Sequence, residues 1–216
     1  MSIKRIILIR PGETDWNRQG RWQGWAAAPL NAHGRMQVQR LCNFVRNIGM
    51  STLFSSDLRR AEQTAQILAD RLGFAPILDE RLRERNIGNW QGLTMTEMQA
   101  WYPDQYQQLL ADRIGFTVPG GESLKEVKTR VLAAFDDIIK QDKGETVGII
   151  SHTTAINLLL SEIIPGYKIG DTTIDNTAVT TIQREDSGDW KLIRVNDTLH
   201  LEGLETQSFK ELGDRL

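Results

Sequence analysis

Apolar and polar positions along the chain alternate between a strand rhythm and a helix rhythm. Residues 3–9 form a short apolar, β-branched run that predicts a buried strand. A helical pattern follows from Asn31, a residue of N-cap type, toward Gly49 as the stop. Residues 52–56 (TLFSS) predict a second strand. The next segment repeats Ala61, Ala65, Leu68 and Leu72 at helical spacing before Gly73 closes it. Residues 75–78 (APIL) predict a weak edge strand, and residues 80–93 a structured loop. Residues 94–112 predict a helix of poor amphipathicity, broken by TVPGGES. Ser123 heads a long helix over 124–142, with Glu126 completing a capping box. ETVGIISH is the strongest strand signal, and a helix through Ile164 follows it. TAVTTIQRE and WKLIRVN flank DSGD and predict a hairpin.

Strands that alternate with helices imply an α/β three-layer sandwich. Its central sheet is expected to be mostly parallel, with an antiparallel hairpin at one edge. No linker or repeat divides the chain, so one domain is expected over residues 1–202, with a charged tail at 203–216.

Composition narrows the class of function. The 216 residues carry 26 basic and 28 acidic side chains, well mixed, for a net charge of −2. No basic stripe stands out, which argues against nucleic acid as a partner. Four consecutive apolar residues near the N-terminus are too few for a signal peptide or a membrane span, so a cytoplasmic protein is expected. The one cysteine, Cys42, has no partner for an internal disulfide and lies in an apolar helical pattern, so it reads as core.

Several chemically capable residues directly follow predicted strands, where ligands of such sheets sit. Arg10 ends the first strand, Arg59 and Arg60 open the helix after the second, and His152 ends the VGIIS strand. Glu84 lies in the loop after the third. Arginine offers fork-shaped donors that match phosphate oxygens. Each residue also has a plainer reading. An arginine at a strand end is often a solvent-facing charge, and a lone histidine is often core. Glu84 stands among Arg81, Arg83 and Arg85 and reads equally as an ion-pair partner. His33 and His200 read as structural. Trp16, Trp22 and Trp25 crowd the loop after the first strand, where exposed rings would wall a pocket.

Together these segments resemble a family. LIRPGETDWNRQGRWQG, SSDLRRAEQTA, LRERNIGNWQG and ISHTTAI are similar, in order and spacing, to four motifs of the histidine phosphatase superfamily, in its phosphoglycerate mutase-like branch. The similarity spans roughly residues 3–200. It implies a phosphoglycerate mutase-like α/β fold and a pocket in which Arg10 and Arg60 clamp phosphate oxygens. His152 would donate to the phosphoryl group and Glu84 would serve as proton donor. Asn17, Gln23, Gly24 and Thr153 would line the substrate site, under a cap formed by residues 93–121. No cofactor and no metal are implied, since no Cys/His/Asp cluster has ligand spacing. The implied partner is a small phosphorylated metabolite or inorganic phosphate, without a membrane; a homodimer is compatible with it.

The chain departs from the family at one decisive position. The first motif usually reads Arg-His-Gly, and its histidine attacks the phosphoryl group; here position 11 is proline. Proline's nitrogen is locked in the amide and has no nucleophilic lone pair. The turn itself should tolerate the change, because proline before glycine suits a strand exit. Thr153 stands where the family has glycine, which is expected to narrow the pocket, and QGWAAAPLN lacks an acidic residue often found there. Three readings follow: an impaired homologue that binds phosphate esters, a phosphatase using His152 or a Glu84-activated water, or an altered form of an ordinary histidine phosphatase.

Overall fold

The computed structural model describes residues 3–204 apart from positions 142 and 171. Six strands form one sheet: β1 (Arg5–Ile9), β2 (Thr52–Ser55), β3 (Ile77–Leu78), β4 (Thr146–Ile150), β5 (Val179–Arg184) and β6 (Trp190–Asp197). They lie in the order β3-β2-β4-β1-β5-β6. The pairs β1–β4, β2–β3 and β2–β4 are parallel, and the hairpin β5–β6 closes the far edge antiparallel to β1.

The apolar run of β1 is continuous because both faces of the sheet are covered. Ile7 and Ile9 pack with Val38, Leu41, Ala65 and Leu68 of α2 (Ala32–Val45) and α3 (Arg59–Leu72). Ile6 and Leu8 point the other way, into a core built with α6 (Leu124–Ile139) and α7 (Thr153–Ile163). The arrangement is the expected three-layer α/β sandwich with a mostly parallel sheet. Cys42 is buried in the first of these cores.

Local signals set most boundaries. Ser123 caps α6 with the reciprocal Glu126 contact, and Gly73 ends α3 in the left-handed conformation at φ 83°. Three expectations needed correction. The helices α2 and α6 end at Val45 and Ile139, short of Gly49 and residue 142. The helix expected over 94–112 is two: α4 (Met95–Trp101) and α5 (Pro103–Ala111). Pro103 has no N–H to continue α4 and biases Tyr102 away from helical backbone, and it serves instead as the first residue of α5. Only Met98 and Leu109 of these two helices are buried. They join Trp90, Phe116 and Val118 in a third, smaller core.

The loop after β1 is pinned by close packing. A Cβ on Gly12 would lie 2.7 Å from the Gly34 carbonyl, and one on Gly34 would lie 2.1 Å from the Glu13 carbonyl. This approach carries the loop across the N-terminal turn of α2 and into the short helix α1 (Asp15–Arg18). Among the described residues, no helix is long and apolar enough to cross a membrane. Of the expected tail, residues 205–216 lie outside the described ones.

Candidate active site

The carboxyl ends of β1, β2 and β4 open on one cavity. Arg10 and Pro11 enter it at the exit of β1, Arg60 from the first turn of α3, and His152 with Thr153 from the start of α7. Glu84 comes from the irregular segment after β3, and Asn17, Gln23 and Gly24 come from the loop that follows α1 and from α1 itself. All nine positions that the family resemblance assigns to the site line this one cavity.

The turn at position 11 is held without using an N–H there. Arg10 N donates to the Ala178 carbonyl, and Gly12 N donates to Thr64 Oγ1. Thr177 N reaches the carbonyls of Arg10 and Pro11 at 3.1 and 3.2 Å, and Asn176 Nδ2 donates to the Pro11 carbonyl at 3.0 Å. Proline is therefore compatible with the network that shapes the loop.

Arg60 is buried, with Nη2 donating to the Gly24 carbonyl at 3.0 Å and Nη1 to the Ala26 carbonyl at 3.3 Å. Burial lowers its guanidinium to about 10, with Glu84 opposing and Arg10 adding to the fall. It stays charged at neutral pH. Arg10 donates Nη1 to the Ile174 carbonyl. Gly24 adopts φ 48°, and a Cβ there would meet Ile87 Cγ1 at 2.6 Å, so the carbonyl that orients Arg60 depends on glycine.

His152 is buried at the N-cap of α7, and its Nε2 lies 3.0 Å from Ser56 Oγ. Burial, with the charges of Arg60, Arg10 and Arg130, holds the imidazole well below the usual histidine range. It is therefore neutral at physiological pH. Glu84 accepts from Arg85 N at 2.7 Å and from Thr154 N, in the first turn of α7, at 3.2 Å. The neighbouring arginines turn elsewhere. Arg81 pairs with Asp79 and Asp137, Arg83 with Asp57 and Glu80, and Arg85 donates to the carbonyls of Glu122 and Phe116. Glu84 thus keeps its carboxylate at the cavity.

Other residues of these segments fall outside. Glu13 is buried away from the cavity, pairing with Arg18 at 2.6 Å and accepting from Asn31 Nδ2, so it ties α1 to α2. Arg59 is exposed and does not line the cavity. Of the three tryptophans, only Trp22 does. Trp25 donates its indole N–H to the Glu84 carbonyl and lies under Arg83, while Trp16 packs on Gly92. The sequence reading missed Ser56, behind His152, and Asn176, which reaches the turn from 165 residues away. The serine pair at the end of β2 was a signal for the first; nothing local marks the second. Among the described residues, no group of three or more His, Cys, Asp or Glu side chains is placed to hold a metal.

Comparison with known proteins settles the lineage. The family model described as Histidine phosphatase superfamily (branch 1) matches residues 6–198. The chain belongs to that superfamily. It is 34% identical over 205 residues to Phosphoglycerate mutase-like protein 4 of Arabidopsis thaliana, covering 94% of this chain and 89% of that protein. The solved structure of Bacillus stearothermophilus YhfR is similar at a TM-score of 0.83 and 28% identity, over 91% of this chain and 98% of that one. A phosphoserine phosphatase from Entamoeba histolytica, a histidine-to-alanine mutant solved in complex with phosphoserine, is similar at a TM-score of 0.76 and 26% identity, over 91% and 98%. As a member of the superfamily, the chain keeps the family's phosphoglycerate mutase-like fold.

Proposed function

We propose that this member of the superfamily binds inorganic phosphate or a small phosphate ester in the cavity without forming a phosphohistidine at position 11. The observation that carries the reading is Pro11 in the cavity wall beside a full set of anion-binding groups. Phosphoryl transfer to a side chain needs a lone pair aligned on phosphorus, and the amide nitrogen of proline has none to give. The groups that hold the anion do not depend on that residue. Arg10 and Arg60 supply the charge, neutral His152 supplies a hydrogen bond, and the first turn of the eleven-residue helix α7 adds oriented N–H groups. The phosphoserine held by the Entamoeba histolytica mutant supports retention of an ester by this fold after loss of a histidine.

Residues 93–121 serve in this reading as the cap over the ester's alcohol side. Arg21, in the loop after α1, ties to them through Glu97 at 2.8 Å and donates to the carbonyl of Gly92, just ahead of them, at 2.6 Å. A mutase activity is disfavoured, since a mutase must keep its phosphohistidine between half-reactions. A second reading, hydrolysis by a water activated at Glu84, is favoured by the carboxylate that Glu84 keeps at the cavity.

Titration calorimetry with inorganic phosphate tests the site. Charge-assisted hydrogen bonds contribute roughly 1.5–3 kcal/mol each. Two or three, offset by ordering and desolvation, give a Kd of about 1 mM. Wild type is expected to saturate in that range and Arg60→Ala is not. Equal binding by both proteins would place the phosphate elsewhere. Turnover of p-nitrophenyl phosphate by wild type that is lost in Glu84→Gln would favour the second reading.

A further inference from the structure

Ser56 is fully buried at the end of β2, and its hydroxyl is surrounded by a short set of partners. Leu58 N donates to Ser56 Oγ at 3.2 Å, which uses one lone pair. The other neighbour is His152 Nε2, at 3.0 Å. Among the described residues, no carbonyl or carboxylate accepts the Ser56 hydroxyl proton. If Nε2 carried the imidazole proton, the serine O–H would be a buried donor with no acceptor, which is costly. If Nε2 carries the lone pair instead, every group in the cluster is satisfied. The single proton of the neutral ring then sits on Nδ1. Nδ1 has no protein partner among the described residues and is not sealed from solvent, so it opens on the cavity that His152 lines.

We propose that Ser56 is a positioning residue: its hydroxyl donates to His152 Nε2, fixes the Nδ1–H tautomer and so aims an N–H donor at the phosphoryl group. This rests on the phosphate-binding reading of the cavity, although the tautomer itself does not. One consequence is chemical. With Nε2 engaged by Ser56 and Nδ1 protonated, His152 has no free lone pair to offer phosphorus. The histidine therefore acts as a donor to the anion and is not a substitute nucleophile for the residue missing at position 11. The low basicity of the buried ring agrees with a neutral donor.

The test is a long-range 1H–15N correlation spectrum, which distinguishes protonated from lone-pair ring nitrogens directly. The chain has only three histidines, and a His152→Gln variant assigns the resonances. Wild type is expected to show a protonated Nδ1 and a lone-pair Nε2 at neutral pH, with the Nδ1 signal shifting when inorganic phosphate is added. Ser56→Ala is expected to give a mixture of tautomers and to weaken phosphate binding about fivefold, the loss of one ordinary hydrogen bond. Ser56→Thr keeps the hydroxyl and should restore the wild-type signature. A wild-type spectrum with the proton on Nε2 overturns the proposal without any variant. So does phosphate binding seen by calorimetry that leaves the His152 signals unmoved. Absence of any phosphate binding, with the Nδ1–H spectrum intact, overturns the reading of the cavity and leaves the Ser56 pair standing.

Discussion

Arg60 concentrates the cost of the cavity in one side chain. A fall from 12.5 to about 10 corresponds to roughly 3 kcal/mol of unfavourable burial. The sign follows from the proton count. Below pH 10 the guanidinium is charged in both states, and only the folded state bears the desolvation. An anion in the cavity relieves it. Phosphate at 10 mM, against a Kd of about 1 mM, should stabilise the fold by about 1.4 kcal/mol, and raise Tm by roughly 3–5 °C for a chain of this size. Thermal melts with and without phosphate check this, and Arg60→Ala should show no phosphate-dependent shift. Two histidines, half-buried His200 and buried His152, set a second dependence. His200, beside Thr177 Oγ1 and Phe44, is lowered to about 4, chiefly by burial. His152 is lowered well below its usual range by burial and by three arginines. The unfolded chain takes up these protons near pH 6.5 while the folded chain resists them, so stability is lost as pH falls from about 6.5 toward 4. Melts across that window should be less steep in His200→Gln than in wild type. An identical slope would mean that the ring is not buried in solution.

At the scale of elements, the helices and strands were legible wherever a local signal sufficed. The capping box at Ser123 and the left-handed Gly73 were both readable as residues before they were seen as geometry. Removing the Ser123 cap by Ser123→Ala should cost about 1 kcal/mol in urea unfolding. What escaped reading depends on partners distant in sequence. The break at Tyr102 was visible in Pro103, yet the low amphipathicity of α4 and α5 arises because they bury only one residue each, against Trp90 and its neighbours. The contact of Gly34 with the Glu13 backbone had no local signature, since glycine inside a helix reads as a defect. It is a packing requirement. Gly34→Ala must separate α2 from the loop after β1, and should destabilise the protein by about 1–3 kcal/mol, as overpacking does. A neutral effect in urea unfolding would show that the loop moves aside at little cost.

At the scale of the whole molecule, the sheet brings residues from positions 10 to 153 to one rim, and this was legible because ligands gather at strand ends. Position and chemistry of the rim residues could be read together; the supporting residues could not. Ser56 and Asn176 act through contacts across the sheet edge that no spacing encodes. Pro11 was legible as an exception only against the family pattern, and the structure shows why the loop accommodates it: Thr177 and Asn176 hold the carbonyls of the turn, and no N–H is required at position 11. The central claim is that only the nucleophile is missing from an otherwise complete phosphate site. The most direct measurement compares wild type with Pro11→His on p-nitrophenyl phosphate and a panel of small phosphate esters, with acid-labile phosphohistidine assayed in parallel. Wild type is expected to show no turnover above background. Pro11→His should gain it by a factor of at least about 100, within the range attributed to a positioned acid such as Glu84, with the phosphoryl group trapped on residue 11. Brisk turnover by wild type, unchanged in Pro11→His and without phosphohistidine, would contradict the claim.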